Sequence, residues 1–326
     1  MKFSSEFPRV FAALAAVAMP CAAVAAPEPV MVNLPSGSRV ATWTLPAASD
    51  RKHQTPIIFL HGGPGLYVED RRLEEGAVFR QLGFATIYFD QAGGGRSDRL
   101  PVAEYSFARA VADLESLRVS LGQDRVILWG NSYGAALAAV YAQQFPGRVA
   151  ALILTSPGMF PGLDARRDYS VTARDKVEYS PAIRDAMGRI DRSAPEAEKQ
   201  ISQVAAGQLF DQIVSEELLD GVVCKGASIR PPVLPGGGNL YAARAISRDL
   251  KRVKLPPESA THVPTLIIRG TCDFIPASSA ERYRSFFGGT LVTVQGTGHG
   301  LIEHREEVDA ALRAFVETDL GALRLP

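Results

Sequence analysis

Residues 125–146, RVILWGNSYGAALAAVYAQQFP, pass from an apolar run into an alanine-rich helical run through Gly130-Asn131-Ser132-Tyr133-Gly134. A serine set at such a strand-to-helix junction is forced into a strained backbone conformation that pushes its hydroxyl out above the sheet. Glycine two residues to either side is what lets the neighbouring strand and helix come that close. A chain that carries this feature must build a strand, a sharp turn and a covering helix in that order, which commits it to an α/β architecture. The pentapeptide alone is common by chance, and the strand before it and helix after it give it weight.

The rest of the chain agrees with that architecture. Short runs rich in β-branched residues fall at 29–34, 38–44, 56–60, 84–89, 125–129, 150–155, 264–269 and 290–294. Helical stretches lie between most of them, near 73–82, 105–121, 133–145, 277–287 and 303–318. Alternation of this kind predicts a mostly parallel eight-stranded sheet with helices on both faces. Only Pro35-Ser36-Gly37 joins the first two strands, so they are expected as an antiparallel hairpin at one edge. The core then divides into 26–156 and 261–326, and residues 157–260 have a different texture: strand-like runs vanish, and charged helical segments appear at 182–190, 196–214 and 239–250. A crossover needs only about a dozen residues, so this stretch is read as an inserted helical lid.

Residues 1–25 read as a signal peptide: Lys2 and Arg9, then the apolar run from Val10 to Ala18, then the small-x-small site Ala23-Val24-Ala25. The expected localisation is periplasmic or secreted. The 35 Lys and Arg balance the 35 Asp and Glu, without a basic tract or acidic tail, which argues against a nucleic-acid partner. No second apolar run is long enough to span a bilayer, and a small-molecule partner is expected. Of the three cysteines, Cys224 and Cys272 remain after cleavage. They are either one bridge between lid and core or two buried thiols, and sequence leaves both open.

A serine hydroxyl is a poor nucleophile at neutral pH and needs a histidine base held by a carboxylate. Among His53, His61, His262, His299 and His304, the loop residue His299 in Gly296-Thr297-Gly298-His299-Gly300 follows the last strand, where a ring can swing over the serine. His304 is placed inside the last helix. Asp273 follows the strand at 264–269 and is the expected carboxylate, with a helix N-cap for 277–287 as its plain alternative. The oxyanion hole is expected from the N–H groups of Tyr133, at a helix start, and Gly63, in the flexible His61-Gly62-Gly63-Pro64-Gly65. A phosphate-cradling reading of that loop is disfavoured, since no Lys-Ser/Thr follows.

Together, the 61–65 loop, Asp90-Gln91-Ala92-Gly93-Gly94-Gly95-Arg96-Ser97, the 130–134 turn, Asp273 and His299 resemble the proline iminopeptidase-like (prolyl aminopeptidase) branch of the α/β-hydrolase superfamily. The resemblance runs from about residue 28 to the end, excluding the lid, and it implies the α/β-hydrolase fold. It also implies a serine aminopeptidase acting on small peptides or amides, with no metal and no cofactor. The 90–97 segment is read as a structural glycine turn near the oxyanion loop. Two departures stand out: Ala92 replaces a common arginine, and the lid lacks tryptophan, since the only two are Trp43 and Trp129. An aminopeptidase must bind an ammonium group, for which Glu216, Glu217 and Asp220 are candidates, with solvated surface as the plain alternative. The same triad could instead cleave esters or lactones, and a non-catalytic binding protein is the remote alternative.

Overall fold

The computed structural model describes residues 27–50, 52–163, 180–217, 222–229 and 237–321. The expected signal peptide and Asp220 lie outside them, as do the side chains of Glu216 and Glu217.

Eight strands form one sheet in the order β1-β2-β4-β3-β5-β6-β7-β8: Val30–Asn33, Arg39–Leu45, Ile57–Leu60, Thr86–Phe89, Val126–Asn131, Val149–Thr155, Thr265–Gly270 and Thr290–Val294, numbered along the chain. β1 and β2 pair antiparallel, as the short Pro-Ser-Gly link requires, and β2 pairs antiparallel with β4. Every other pairing is parallel. In the central strands the two-residue side-chain period sorts the core onto the two faces. Ile58, Leu60, Val126 and Leu128 enter one apolar cluster, while Ile57, Phe59, Ile127 and Trp129 enter the other.

Helices α1 (Asp70–Glu75), α2 (Ala77–Gln81), α3 (Phe107–Ser120) and α4 (Tyr133–Gln144) follow the early strands. The sequence predicts one helix over 73–82, but the chain breaks at Gly76, where a Cβ would stand 1.7 Å from the Tyr88 hydroxyl. Glycine is a weak helix former, and here its bare face lets the two short helices bend around Tyr88. α4 is rich in alanine because it lies directly on the sheet: its residues from Tyr133 to Ala142 are all buried.

Between β6 and β7 come α5 (Pro181–Arg192), α6 (Ala194–Glu198), α7 (Gln203–Gln212), a π-helical turn Ile213–Glu217, and α8 (Leu240–Leu250). The helix expected over 196–214 is thus two, because the Ser202 side chain caps a fresh start by accepting from the Ala205 N–H at 3.2 Å. The chain ends in α9 (Ala277–Phe287) and α10 (Arg305–Phe315), whose Val308, Leu312 and Phe315 are buried as the spacing predicts. His304, expected inside this last helix, instead precedes it as the N-cap residue without a side-chain capping bond. Asp273 does not cap α9 either, since Pro276 holds that position.

Among the described residues no helix is long and apolar enough to cross a membrane.

Candidate active site

Ser132 joins β5 directly to α4 with φ 53° and ψ −120°, a left-handed backbone that an L-residue adopts only under constraint. The constraint is visible on all sides. The Ser132 N–H donates to the Thr155 carbonyl at 3.1 Å, and its own carbonyl accepts from Gly158 at 2.9 Å and Ala135 at 3.0 Å. A Cβ at Gly134 would lie 2.0 Å from the Leu60 carbonyl oxygen, and one at Gly130 would lie 2.5 Å from the Gly134 carbonyl oxygen. The flanking glycines are required because backbone, not flexible side chain, occupies the space.

Asp273 and His299 meet across two loops that leave the sheet at neighbouring strands. The Asp273 Oδ1 accepts from His299 Nδ1 at 2.8 Å and from the Ile275 N–H at 2.8 Å. Its side chain is 1% exposed and that of His299 10%. A carboxylate can only accept, so the imidazole proton sits on Nδ1 and the Nε2 lone pair is left free. The Phe274 ring lies 4.3 Å from the imidazole, centroid to centroid.

Ser132, His299, Gly62, Gly63 and Asn131 line one cavity of about 220 Å³. Its opposite wall is the helical insertion, contributing Met187, Phe210, Ile213, Val214 and Leu240. Gly63 turns there with φ 119°, and a Cβ on it would stand 2.8 Å from the Leu66 nitrogen. Tyr133 is the first residue of α4, so its N–H has no carbonyl within the helix to serve. The sequence-predicted Ser132, His299 and Gly63 therefore share a cavity, with Asp273 behind His299 and Tyr133 next to the serine. Glu216 and Glu217 close the π-helical turn whose Ile213, Val214 and Ser215 line the same cavity.

The other histidine beside the serine has a different task. His61 Nδ1 donates to the Gly62 carbonyl at 2.9 Å, and Nε2 accepts from the Gln91 N–H at 3.0 Å. Burial lowers its pKa to about 4, so the ring stays neutral and braces the 61–65 loop against the glycine turn at 90–97. That turn is held by Asp90, which accepts from the Val68 and Arg96 N–H groups at 2.7 and 2.8 Å. Here the structural reading of 90–97 holds, with one addition. Gly95 donates to the Gly237 carbonyl at 2.8 Å, and Gly93 accepts from the fully buried Asn239 side chain at 3.1 Å. Asn239 also caps α8 and donates its N–H to the Gly65 carbonyl at 2.7 Å, fastening that helix to the loop that carries Gly63.

Several groups at the site escape the sequence reading. Glu69, Arg71 and Arg72 line the cavity in a chain of ion pairs. Arg71 donates to Glu69 at 2.8 Å and to Glu75 at 3.0 Å, and Arg72 donates to Glu75 at 2.7 Å and to the Asn131 side chain at 3.1 Å. Burial would raise the Glu69 pKa, but the charges of Arg71 and Arg72 outweigh it and hold the carboxyl below its ordinary range. Arg71 and Arg72 stand at i, i+4 and i, i+3 spacing from Glu75 on α1, which begins at Asp70, three residues before the helix expected at 73.

A second cluster joins the insertion to the Asp273 and His299 loops. Cys224 and Cys272 are bridged, with Cα atoms 5.2 Å apart, which resolves the alternative that sequence leaves open. On the chain-entropy account, closing a loop of this length stabilises the fold by about 4 kcal/mol. Glu303 accepts from the Cys224 N–H at 2.6 Å, the Thr297 hydroxyl at 2.6 Å and the Gly298 N–H at 3.2 Å. Gly300 donates to the Val222 carbonyl at 2.7 Å. Glu303→Ala is expected to strip the acceptor from three donors at once and to cost about 2 kcal/mol. Calorimetry should register that as a lower thermal midpoint, and an unchanged midpoint would show the clamp to be idle.

The α/β hydrolase fold family model matches residues 55–305. The proline iminopeptidase of Xylella fastidiosa (strain 9a5c) is 38% identical over 290 residues, covering 80% of this chain and 88% of that protein. The chain belongs to the α/β-hydrolases, in their proline iminopeptidase-like branch. The probable proline iminopeptidase of Streptomyces coelicolor is 41% identical to this hydrolase, but over 113 residues, 32% of the chain and 33% of that protein. An esterase from Exiguobacterium antarcticum, 17% identical, superposes with a TM-score of 0.60 over 89% of the hydrolase and 100% of the esterase. That likeness speaks for the fold alone.

Proposed function

We propose that this hydrolase is an exported serine aminopeptidase that releases N-terminal residues from small peptides or amides, with the 157–260 insertion as the lid over its active site. Ser132 attacks the carbonyl while His299 Nε2 takes the hydroxyl proton, and the N–H groups of Gly63 and Tyr133 receive the oxyanion. Collapse expels the amine, which takes the proton from His299. Water then attacks the acyl-enzyme by the same route, returning the proton to Ser132. Asp273 keeps the imidazole oriented and stabilises its charged form. The observation that carries this reading is the Asp273–His299 contact at 2.8 Å beside a cavity that also exposes the strained Ser132. Export rests on the leader-like residues 1–25 and fits a disulfide, which persists in an oxidising compartment.

An aminopeptidase must hold the substrate's ammonium group. We assign this to Glu69, the one carboxylate among the described lining residues, which also pairs with Arg71, and to Glu216 and Glu217 at the end of the adjoining turn. Substrates with a free α-amine are expected to exceed their N-acetylated counterparts by about 10- to 100-fold in kcat/KM, the worth of a charge-assisted hydrogen bond. Comparing aminoacyl naphthylamides with their acetylated forms and with p-nitrophenyl esters tests it. Equal rates with and without the acetyl group would favour the second reading, an esterase or lactonase, which the apolar wall of Phe210, Ile213, Leu240 and Phe274 also suits.

A further inference from the structure

Among the described residues three arginines line the cavity, and two of them are committed to internal partners. Arg71 spends its donors on Glu69 and Glu75, and Arg72 on Glu75 and Asn131, with side chains 20% and 9% exposed. Arg244 is different. It stands on α8 on the face that also carries Leu240, Ala243 and Ser247 to the cavity, the i, i+3, i+4, i+7 spacing of one helix side. Its guanidinium reaches across to α5, where it meets both carboxylate oxygens of Asp191, the Nε–Oδ1 contact being 2.7 Å. Asp191 lies one turn beyond Met187, which lines the cavity. The pair is open to solvent, with side chains 38% and 39% exposed. Arg244 thus touches both the cavity and bulk water, which puts it at the rim.

We propose that Arg244 is a specificity-determining residue that receives the free C-terminal carboxylate of a short peptide substrate, exchanging Asp191 for it. This rests on the aminopeptidase reading and names its substrate class: di- and tripeptides with a free acid end. An exposed ion pair contributes little net stability, so exchanging one carboxylate for another costs little. The planar guanidinium fork already holds a carboxylate through two donors here, and the geometry transfers to a substrate carboxylate. The cavity of about 220 Å³ is smaller than the ~300–1,000 Å³ usual for ligand sites, so a substrate spanning it is short and its far end arrives at the rim.

The test compares X-glycine dipeptides with X-glycinamides for several N-terminal residues X, which share the free amine and differ in the terminal charge. Wild-type enzyme is expected to prefer the acid in kcat/KM, and Arg244→Gln to reduce that acid-to-amide ratio about tenfold, the worth of a charge-assisted contact. Asp191→Asn should move the ratio the other way by freeing the guanidinium. Added salt should lower the ratio in wild type and leave it nearly flat in Arg244→Gln. A wild-type enzyme that treats acid and amide alike, or a ratio unchanged in Arg244→Gln, overturns this assignment and leaves the aminopeptidase reading standing. If wild type hydrolyses neither dipeptides nor aminoacyl naphthylamides but does cleave esters, the aminopeptidase reading itself fails, and this one with it.

Discussion

Ser132→Ala is expected to lower kcat/KM by a factor on the order of 10⁴ to 10⁶ and to leave the fold intact, because removing a nucleophile deletes the acyl-enzyme route altogether. The variant keeps the Cβ that already fits beside Gly62, so nothing new enters the crowded turn. The three backbone hydrogen bonds that hold residue 132 do not involve its hydroxyl. Thermal unfolding should therefore match wild type, while labelling by a fluorophosphonate disappears. A variant that retained a tenth of wild-type turnover would remove Ser132 from the mechanism.

Asp273→Ala is expected to cost on the order of 10⁴ in kcat, because the imidazole loses both its orientation and the charge that stabilises its protonated form. Asparagine separates those two effects here. One oxygen, Oδ1, accepts from both Ile275 and His299, so the amide oxygen of an asparagine can keep both bonds and only the negative charge is lost. Asp273→Asn should be milder than Asp273→Ala, and rates of the two purified variants on one substrate decide it. An asparagine variant as damaged as the alanine variant would mean that the carboxylate's charge is essential or that the amide has turned its NH2 toward Nδ1 and fixed the wrong tautomer. His304→Ala provides the contrast: this exposed ring ion-pairs with Glu307 at 3.5 Å, and its loss should be nearly silent.

Local pattern made the sheet and the elbow legible. Every strand run read from β-branched residues lies in the sheet, and Gly130 and Gly134 signal the close approach that the backbone demands. Elements shaped by distant contacts were harder to read. Gly76 splits a helix because of Tyr88 on another element, and His304 stands as the N-cap residue just before α10 rather than inside it. The pairs of Arg71 and Arg72 with Glu75 have helical spacing but fall before the expected helix start at 73, and Glu303 grips donors from two separate segments that no period links. Asn239 was legible as the start of the 239–250 helix, but its bond to the Gly93 carbonyl needs the folded turn. Spacing likewise cannot decide whether Cys224 meets Cys272, since a bridge is a statement about Cα separation.

That bridge also changes how the two halves of the active site are connected. Ser132 lies before residue 224, while Asp273 and His299 lie after 272, so in the linear chain the proposed nucleophile and its proposed base are joined through a path that includes the stretch between the cysteines. With Cys224 bonded to Cys272, that stretch becomes a closed ring, and the rest of the molecule is continuous without it. A protease that cuts one peptide bond anywhere in the ring opens it into two dangling arms but separates nothing: the half bearing Ser132 stays covalently attached one residue away from Asp273. The ring holds the end of the insertion, with α8, and the core strand β7, so a single cut there leaves the chain in one piece, whereas a cut earlier in the insertion, before residue 224, is not spanned by this bridge.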